Sequence, residues 1–135
     1  FWYKNTTTTI SGSVTSGDTA VDITAGIYKE VVTVSNSGKA FAYPKISVTN
    51  KSGGAVTSII IRNTTTGRTF TFTGSVANDK ALVADMGNFT VKNDGTEDLT
   101  NFSGSFIWLD PGNNTIEIEG KAQLNYVIEF TARYF

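Results

Sequence analysis

Ile59-Ile60-Ile61-Arg62-Asn63-Thr64-Thr65-Thr66-Gly67-Arg68-Thr69-Phe70-Thr71-Phe72-Thr73 is the stretch on which the fold turns. Arg68 to Thr73 alternates strictly between polar and aromatic residues, a period of two that only a strand can use to put Phe70 and Phe72 on one buried face. Threonine at the intervening positions is β-branched and suits the half-exposed side of a pleated sheet. Thr66-Gly67 supplies the turn before this strand and Gly74 closes it, so the segment reads as a hairpin. The strand before the turn, Val56 to Asn63, carries an unbroken isoleucine run. Apolar residues on both parities predict either a central strand covered on both faces or a contact with another chain.

The same reading extends in both directions. Tyr28 to Ser35 alternates, with Tyr28, Glu30, Val32 and Val34 on one face, and Asn36-Ser37-Gly38 turns the chain. Pro44 to Asn50 places Ile46 and Val48 together, with Pro44 at the strand start, where its missing N–H is tolerated, and Gly53-Gly54 beyond its end. Lys80 to Asp85, Phe89 to Lys92, Asp98 to Phe102 and Ser105 to Leu109 are further short strands, the second and third joined through Asn93-Asp94-Gly95. Asp110-Pro111-Gly112-Asn113 has Pro and Gly where a type II turn wants them and feeds Thr115 to Glu119, with Ile116 and Ile118 inward. Leu124 to Phe135 is one long final strand. About ten short strands at turn spacings of roughly 8 to 12 residues define an all-β chain, an antiparallel sandwich or barrel, and we read it as a β-sandwich.

A chain of 135 residues is one domain's length. Residues 1–19 read as an N-terminal linker or edge strand, rich in Thr, Ser and Gly, and residues 20–135 as the sandwich. The opening Phe1-Trp2-Tyr3-Lys4 has neither an initiator Met nor a signal-peptide pattern, and reads as the start of a domain cut from a longer polypeptide or of a mature secreted protein.

Eleven basic and twelve acidic residues leave a net charge of −1, which gives no field for a polyanion, so nucleic acid and anionic membrane are disfavoured as partners. No apolar run approaches the roughly 20 residues that span a bilayer. The chain has no Cys and no His. Disulfides, thiolate metal sites and His-dependent nucleophile triads are thereby excluded.

Little that remains carries chemistry. Glu117 and Glu119 share a strand face at roughly 7 Å, near the separation of glycosidase carboxylates, but their alternation with Ile116 and Ile118 makes them the ordinary solvent face of a half-buried strand. Asp79, Asp85, Asp94, Asp98 and Asp110 lie in or near loops, where Asp is a default turn residue, and no calcium-loop spacing occurs; no metal or cofactor is expected. N-x-[ST] triplets at Asn5, Asn50, Asn63, Asn88, Asn101 and Asn113 are what an Asn- and Thr-rich chain yields by chance. Trp2, Tyr3, Tyr43 and Trp108 are candidate rings for a sugar-stacking platform, set against a core or interface role for Trp108.

Taken in order, several of these segments resemble the C-terminal domain of siphophage distal tail proteins. They are Asn36-Ser37-Gly38, Ala42-Tyr43-Pro44-Lys45-Ile46, Ile61-Arg62-Asn63-Thr64-Thr65-Thr66-Gly67, Leu82-Val83-Ala84-Asp85, the run Phe106-Ile107-Trp108-Leu109-Asp110-Pro111-Gly112-Asn113-Asn114, and Arg133-Tyr134. The resemblance implies a jelly-roll, galectin-like sandwich carried behind a ring-forming domain in a protein that is hexameric at the junction of tail tube and baseplate. It implies a virion location and a non-catalytic structural or docking role, with other phage tail and baseplate proteins as partners. The alternative is an extracellular or virion-borne carbohydrate-binding module for host cell-wall polysaccharide, since some relatives carry such sandwiches.

Overall fold

The computed structural model describes residues 6–14, 20–22, 27–120 and 123–133. Among the described residues twelve strands follow in order: β1 (Thr6–Val14), β2 (Ala20–Asp22), β3 (Ile27–Asn36), β4 (Lys45–Asn50), β5 (Ile59–Asn63), β6 (Arg68–Phe72), β7 (Ala81–Asp85), β8 (Thr90–Asn93), β9 (Thr96–Glu97), β10 (Phe102–Gly104), β11 (Gly112–Gly120) and β12 (Leu124–Ala132). They form two antiparallel six-stranded sheets, one ordered β1-β12-β4-β7-β8-β9 and the other β10-β6-β5-β11-β3-β2. This is the antiparallel β-sandwich expected from the alternation.

Period-two patterning places the core between the sheets. Ile46 and Val48 of β4, Leu82 and Ala84 of β7, and Leu124, Ile128 and Phe130 of β12 point inward from the first sheet. Ile59 and Ile61, Phe70 and Phe72, and Ile116 and Ile118 answer them from the second, all fully buried. The isoleucine run is resolved by this register. β5 is an interior strand, but Ile60 lies on the outer face, half-buried, so the strand is covered on one face only.

Several boundaries differ from the periodicity reading. Val56 does not belong to β5; it makes a single antiparallel bridge to Val76. Ser105 to Leu109 is not a strand of either sheet. It crosses the end of the sandwich and is pinned by one bridge, Leu109 to Ala42, with Ile107 and Leu109 buried. The apolar alternation there comes from a segment half sunk between the sheets. Asp98 to Phe102 is likewise not a strand: β9 ends at Glu97 after a tight hairpin in which Asp94 (φ 53°) and Gly95 (φ 81°) both hold positive φ, Asp98 to Asn101 is a loop, and β10 begins only at Phe102 and pairs with β6 in the other sheet.

β1 pairs with β12 along its whole length, from Thr6 opposite Ala132 to Val14 opposite Leu124. Gly12 sits opposite Tyr126, and a β-carbon on it would come 2.5 Å from the phenolic oxygen, so the ring covers the bare glycine of this edge strand. Burial raises the Tyr126 hydroxyl above its ordinary value, and the charge of Glu30 adds to the effect. The folded state therefore holds the Tyr126 proton more tightly than the unfolded state. Its stabilising contribution is complete below the unfolded pKa of about 10 and is lost as pH rises through the folded value. Melting temperature should accordingly fall above about pH 10 more steeply in the native protein than in Tyr126→Phe, which keeps the ring and removes the ionisation; parallel curves would show that Tyr126 is not responsible.

Candidate functional site

One end of the sandwich gathers most of the unusual residues. The turns after β3, β5 and β7, the crossing segment 105–111 and the last residues of β12 all meet there, as the pairings Asn36–Gly112, Lys45–Asp85 and Thr6–Ala132 require.

Buried asparagines build this end. Asn36, Asn63 and Asn114 are 1% exposed or less, and each turns its amide on a loop. Asn36 Oδ1 accepts from Gly38 N (3.1 Å), and its Nδ2 donates to Ala40 O (3.0 Å) and Leu109 O (3.3 Å). Asn63 Oδ1 accepts from Thr65 N (3.0 Å), and its Nδ2 donates to Trp108 O (2.7 Å) and Asn114 Oδ1 (3.3 Å). Asn114 Oδ1 also accepts from Asp110 N (2.9 Å), while its Nδ2 donates to Asp110 O (2.9 Å), Gly112 O (3.1 Å) and Val34 O (3.4 Å). Each side chain thus substitutes for the backbone partner that an irregular loop lacks. At the opposite end Asn50 does the same for Ser52, Gly54 and Val76. Two of the N-x-[ST] asparagines, Asn50 and Asn63, are fully enclosed in these roles and are closed to glycosylation.

Held by this network, Trp108 donates from Nε1 to Asp110 Oδ1 at 3.1 Å. The Arg68 guanidinium lies 5.0 Å from its ring centroid and Phe41 packs against it with centroids 6.2 Å apart. Trp108 is half-buried and already committed to these contacts. Tyr43 is exposed and lines a cleft of about 440 Å³ that Phe41 also borders. Trp2 and Tyr3 lie outside the described residues. Of the four candidate stacking residues, then, Tyr43 is exposed on the cleft wall and Trp108 is held against Asp110, Arg68 and Phe41.

Periodicity does not reveal the aromatic ladder beside them. Phe89 packs edge-on against Phe106 (5.3 Å), Phe106 against Phe102 (4.6 Å), and Phe102 stacks on the buried Phe70 (4.8 Å). Phe89 is exposed and holds φ at 55°, an uncommon conformation for a bulky residue. Asp85 keeps it there by accepting from Gly87 N and Asn88 N through one oxygen and from Asn88 Nδ2 through the other. The other loop aspartates are similarly engaged: Asp79 with Lys51 and Asn78, Asp98 with Asn101, and Asp94 with Lys80 at 3.8 Å. Glu117 and Glu119 lie on the outer face of their sheet in a cross-strand network, with Arg62 Nη1 2.9 Å from Glu119 and 3.6 Å from Glu117, and Lys29 Nζ 3.4 Å from Glu117.

The geometry is that of a β-sandwich whose sheets are a frame for presenting loops. The chain belongs to the siphovirus-type tail component family, as its C-terminal domain, a model of which matches residues 37–134. It is accordingly a component of the phage tail. Among solved structures it is similar to SPP1 Dit (gp 19.1), described as a paradigm of the hub adsorption apparatus in phages that infect Gram-positive bacteria, with a TM-score of 0.63 and 16% identity over 95% of this chain and 48% of that one. The chain therefore spans about half the length of that protein. A virus-like particle of the extra small virus of the prawn Macrobrachium rosenbergii aligns at a TM-score of 0.36 and 16% identity over 97% of this chain and 80% of its own, too remote a likeness to carry an argument. No curated protein matches the sequence.

Proposed function

We propose that this domain is a non-catalytic docking module of the tail tip, holding neighbouring tail or baseplate proteins through its loop-bearing end. The observation that carries this reading is the family match across residues 37–134. In this reading residues 20–135 are the rigid body and residues 1–19 its linker or edge strand. The loop end supports it. Phe41 and Phe89 are 53% and 58% exposed there, on turns braced by buried asparagines and by Asp85. Rigid exposed aromatics are the residues that anchor protein interfaces, because a large apolar area is buried at small cost in side-chain entropy.

The double variant Phe41→Ser/Phe89→Asn tests it, asparagine being chosen because it tolerates positive φ. Stability should change by no more than about 0.5 kcal/mol for each site, as befits exposed positions. Retention of neighbouring tail proteins in co-purification should fall roughly thirty-fold, the equivalent of about 2 kcal/mol for an interface anchor. A folded double variant that enters tails at the native level would refute docking through this end.

A further inference from the structure

Among the described residues four strands end the two sheets, β1 and β9 in one, β10 and β2 in the other. An end strand presents a row of unpaired N–H and C=O groups, and folded chains blunt such rows by shortness, bulges or charge. Three of the four are blunted. β9 is two residues long and ends in Glu97, β10 is three residues ending in Gly104 at φ 90°, and β2 is three residues with an irregular register between Ala20 and Asp22. β3, open beyond β2, sets the half-buried Glu30 on the same face as the buried Val34, an inward charge that also discourages pairing. β1 has none of these devices. It runs nine residues in unbroken register with β12, its one strand partner among the described residues, and from Thr6 to Val14 it contains no charge and no proline.

What fits this edge is the same strand. An uncharged strand gives a foreign partner no electrostatic mark by which to be selected, whereas a two-fold interface needs only a patch that complements itself. Centred on Ile10, an antiparallel pair of β1 strands sets Thr9 opposite Ser11 of the second copy, and Ser11 opposite its Thr9. Thr9 and Ser11 are exposed on the outer face, and their hydroxyls both donate and accept. On the inner face Thr8 meets Gly12 and Ile10 meets its own copy. Ile10 is only partly buried and packs against the core, so the contact of two isoleucines carries that core across the seam. Glu129, the one charge on β12, lies opposite Thr9 one strand further in. Three strand spacings, roughly 14 Å, separate the two copies of it, which is beyond the screening length of about 8 Å.

We propose that β1 is a self-association edge, pairing antiparallel about Ile10 with β1 of a second copy of this chain and joining their two sheets into one. The pairing is closed, because each copy spends its one unblunted edge strand on it. It also points the two loop-bearing ends, with Phe41 and Phe89, in opposite directions. The inference does not rest on the docking role, which uses other residues. The test is analytical ultracentrifugation of the full 135-residue chain from about 10 μM to about 1 mM, the range suited to an interface one strand wide. A monomer–dimer equilibrium is expected. Thr9→Lys/Ser11→Lys sets like charges opposite each other twice in the dimer and should weaken it at least about ten-fold. Thr9→Lys/Ser11→Glu alters the same two exposed positions but sets opposite charges together, so it should dimerise at least as tightly as the native chain. Amide hydrogen exchange at residues 7–12 should slow as native protein concentration rises. Phe41→Ser/Phe89→Asn should leave the equilibrium unchanged. A chain monomeric to 1 mM, a dimer indifferent to Thr9→Lys/Ser11→Lys, equal weakening by the opposite-charge pair, protection confined to other strands, or loss of the dimer in Phe41→Ser/Phe89→Asn would each overturn the proposal.

Discussion

Asn114→Ala is expected to cost about 3–5 kcal/mol and to lower the melting temperature by roughly 10–20 °C, out of a total stability that for a domain of this kind is about 5–15 kcal/mol. The side chain is fully buried, and its amide is bonded to Asp110 on both sides, to Gly112, to Val34 and to Asn63. Alanine leaves the carbonyls of Asp110 and Gly112 and the amide N–H of Asp110 without these partners, where burial makes each loss expensive. The neighbouring Asn113→Ala, at an exposed position, should change stability by no more than about 0.5 kcal/mol. Asn114→Asp discriminates further. It keeps the volume but sets a negative oxygen against three carbonyl oxygens, so it should be at least as damaging at neutral pH and should partly recover in acid, where the protonated carboxyl can donate again. Thermal melts of the three variants across pH decide the matter; an Asn114→Ala protein as stable as Asn113→Ala would show that the network is dispensable.

Phe70→Ala should cost a similar 3–5 kcal/mol for a different reason, the loss of buried aromatic area together with the cavity left behind. Phe70 is fully buried on β6, stacked on Phe102 at 4.8 Å and 6.0 Å from Phe106. In denaturant titration the midpoint should fall with little change in slope, as for a native state that is weakened and not expanded. Phe70→Leu, which keeps much of the volume, should recover more than half of the loss. Because Phe102 and Phe106 connect Phe70 to the exposed Phe89, the alanine variant should also loosen the loop end. Reduced hydrogen-exchange protection at residues 86–89 and 105–108, beyond that seen in Asn50 variants at the far end, is the expected signature.

Much of the fold is legible in the order of the residues. The period of two around Phe70 and Phe72, Ile46 and Val48, and Ile116 and Ile118 fixes which side chains face inward, because successive residues of a strand cannot point the same way. Asp94-Gly95 and Thr66-Gly67 mark turns because glycine accepts the positive φ they require, and Gly67 and Gly95 hold φ at 78° and 81°. The family resemblance rests on the order of such signals, and the match to residues 37–134 agrees with it. Where a segment is apolar without being paired, periodicity misleads: Phe106-Ile107-Trp108-Leu109 alternates as a strand does, yet it is held by asparagine side chains and one bridge.

The site is the less legible part. Asn36, Asn63 and Asn114 look like turn residues in sequence, and nothing local distinguishes an asparagine facing solvent from one that, like Asn36 and Asn63, clasps a loop brought to it from 73 and 45 residues away. That the three follow or open strands at one end of the molecule is the only hint. Likewise Glu117 and Glu119 pair with Lys29 and Arg62, whereas Lys45, Lys92 and Glu129 have no ion-pair partner among the described residues, and local alternation is the same in both cases. Periodicity, composition and turn chemistry are short-range properties of a chain, so they suffice to set the strands, their inward faces and the exclusion of histidine- and thiol-based chemistry. Which strands become neighbours depends on contacts between residues far apart in the chain. Pairing of strands within a sheet therefore settles which charges neutralise one another, and the packing of the sheets and of the loops at their ends settles which asparagines are buried and which aromatics remain exposed.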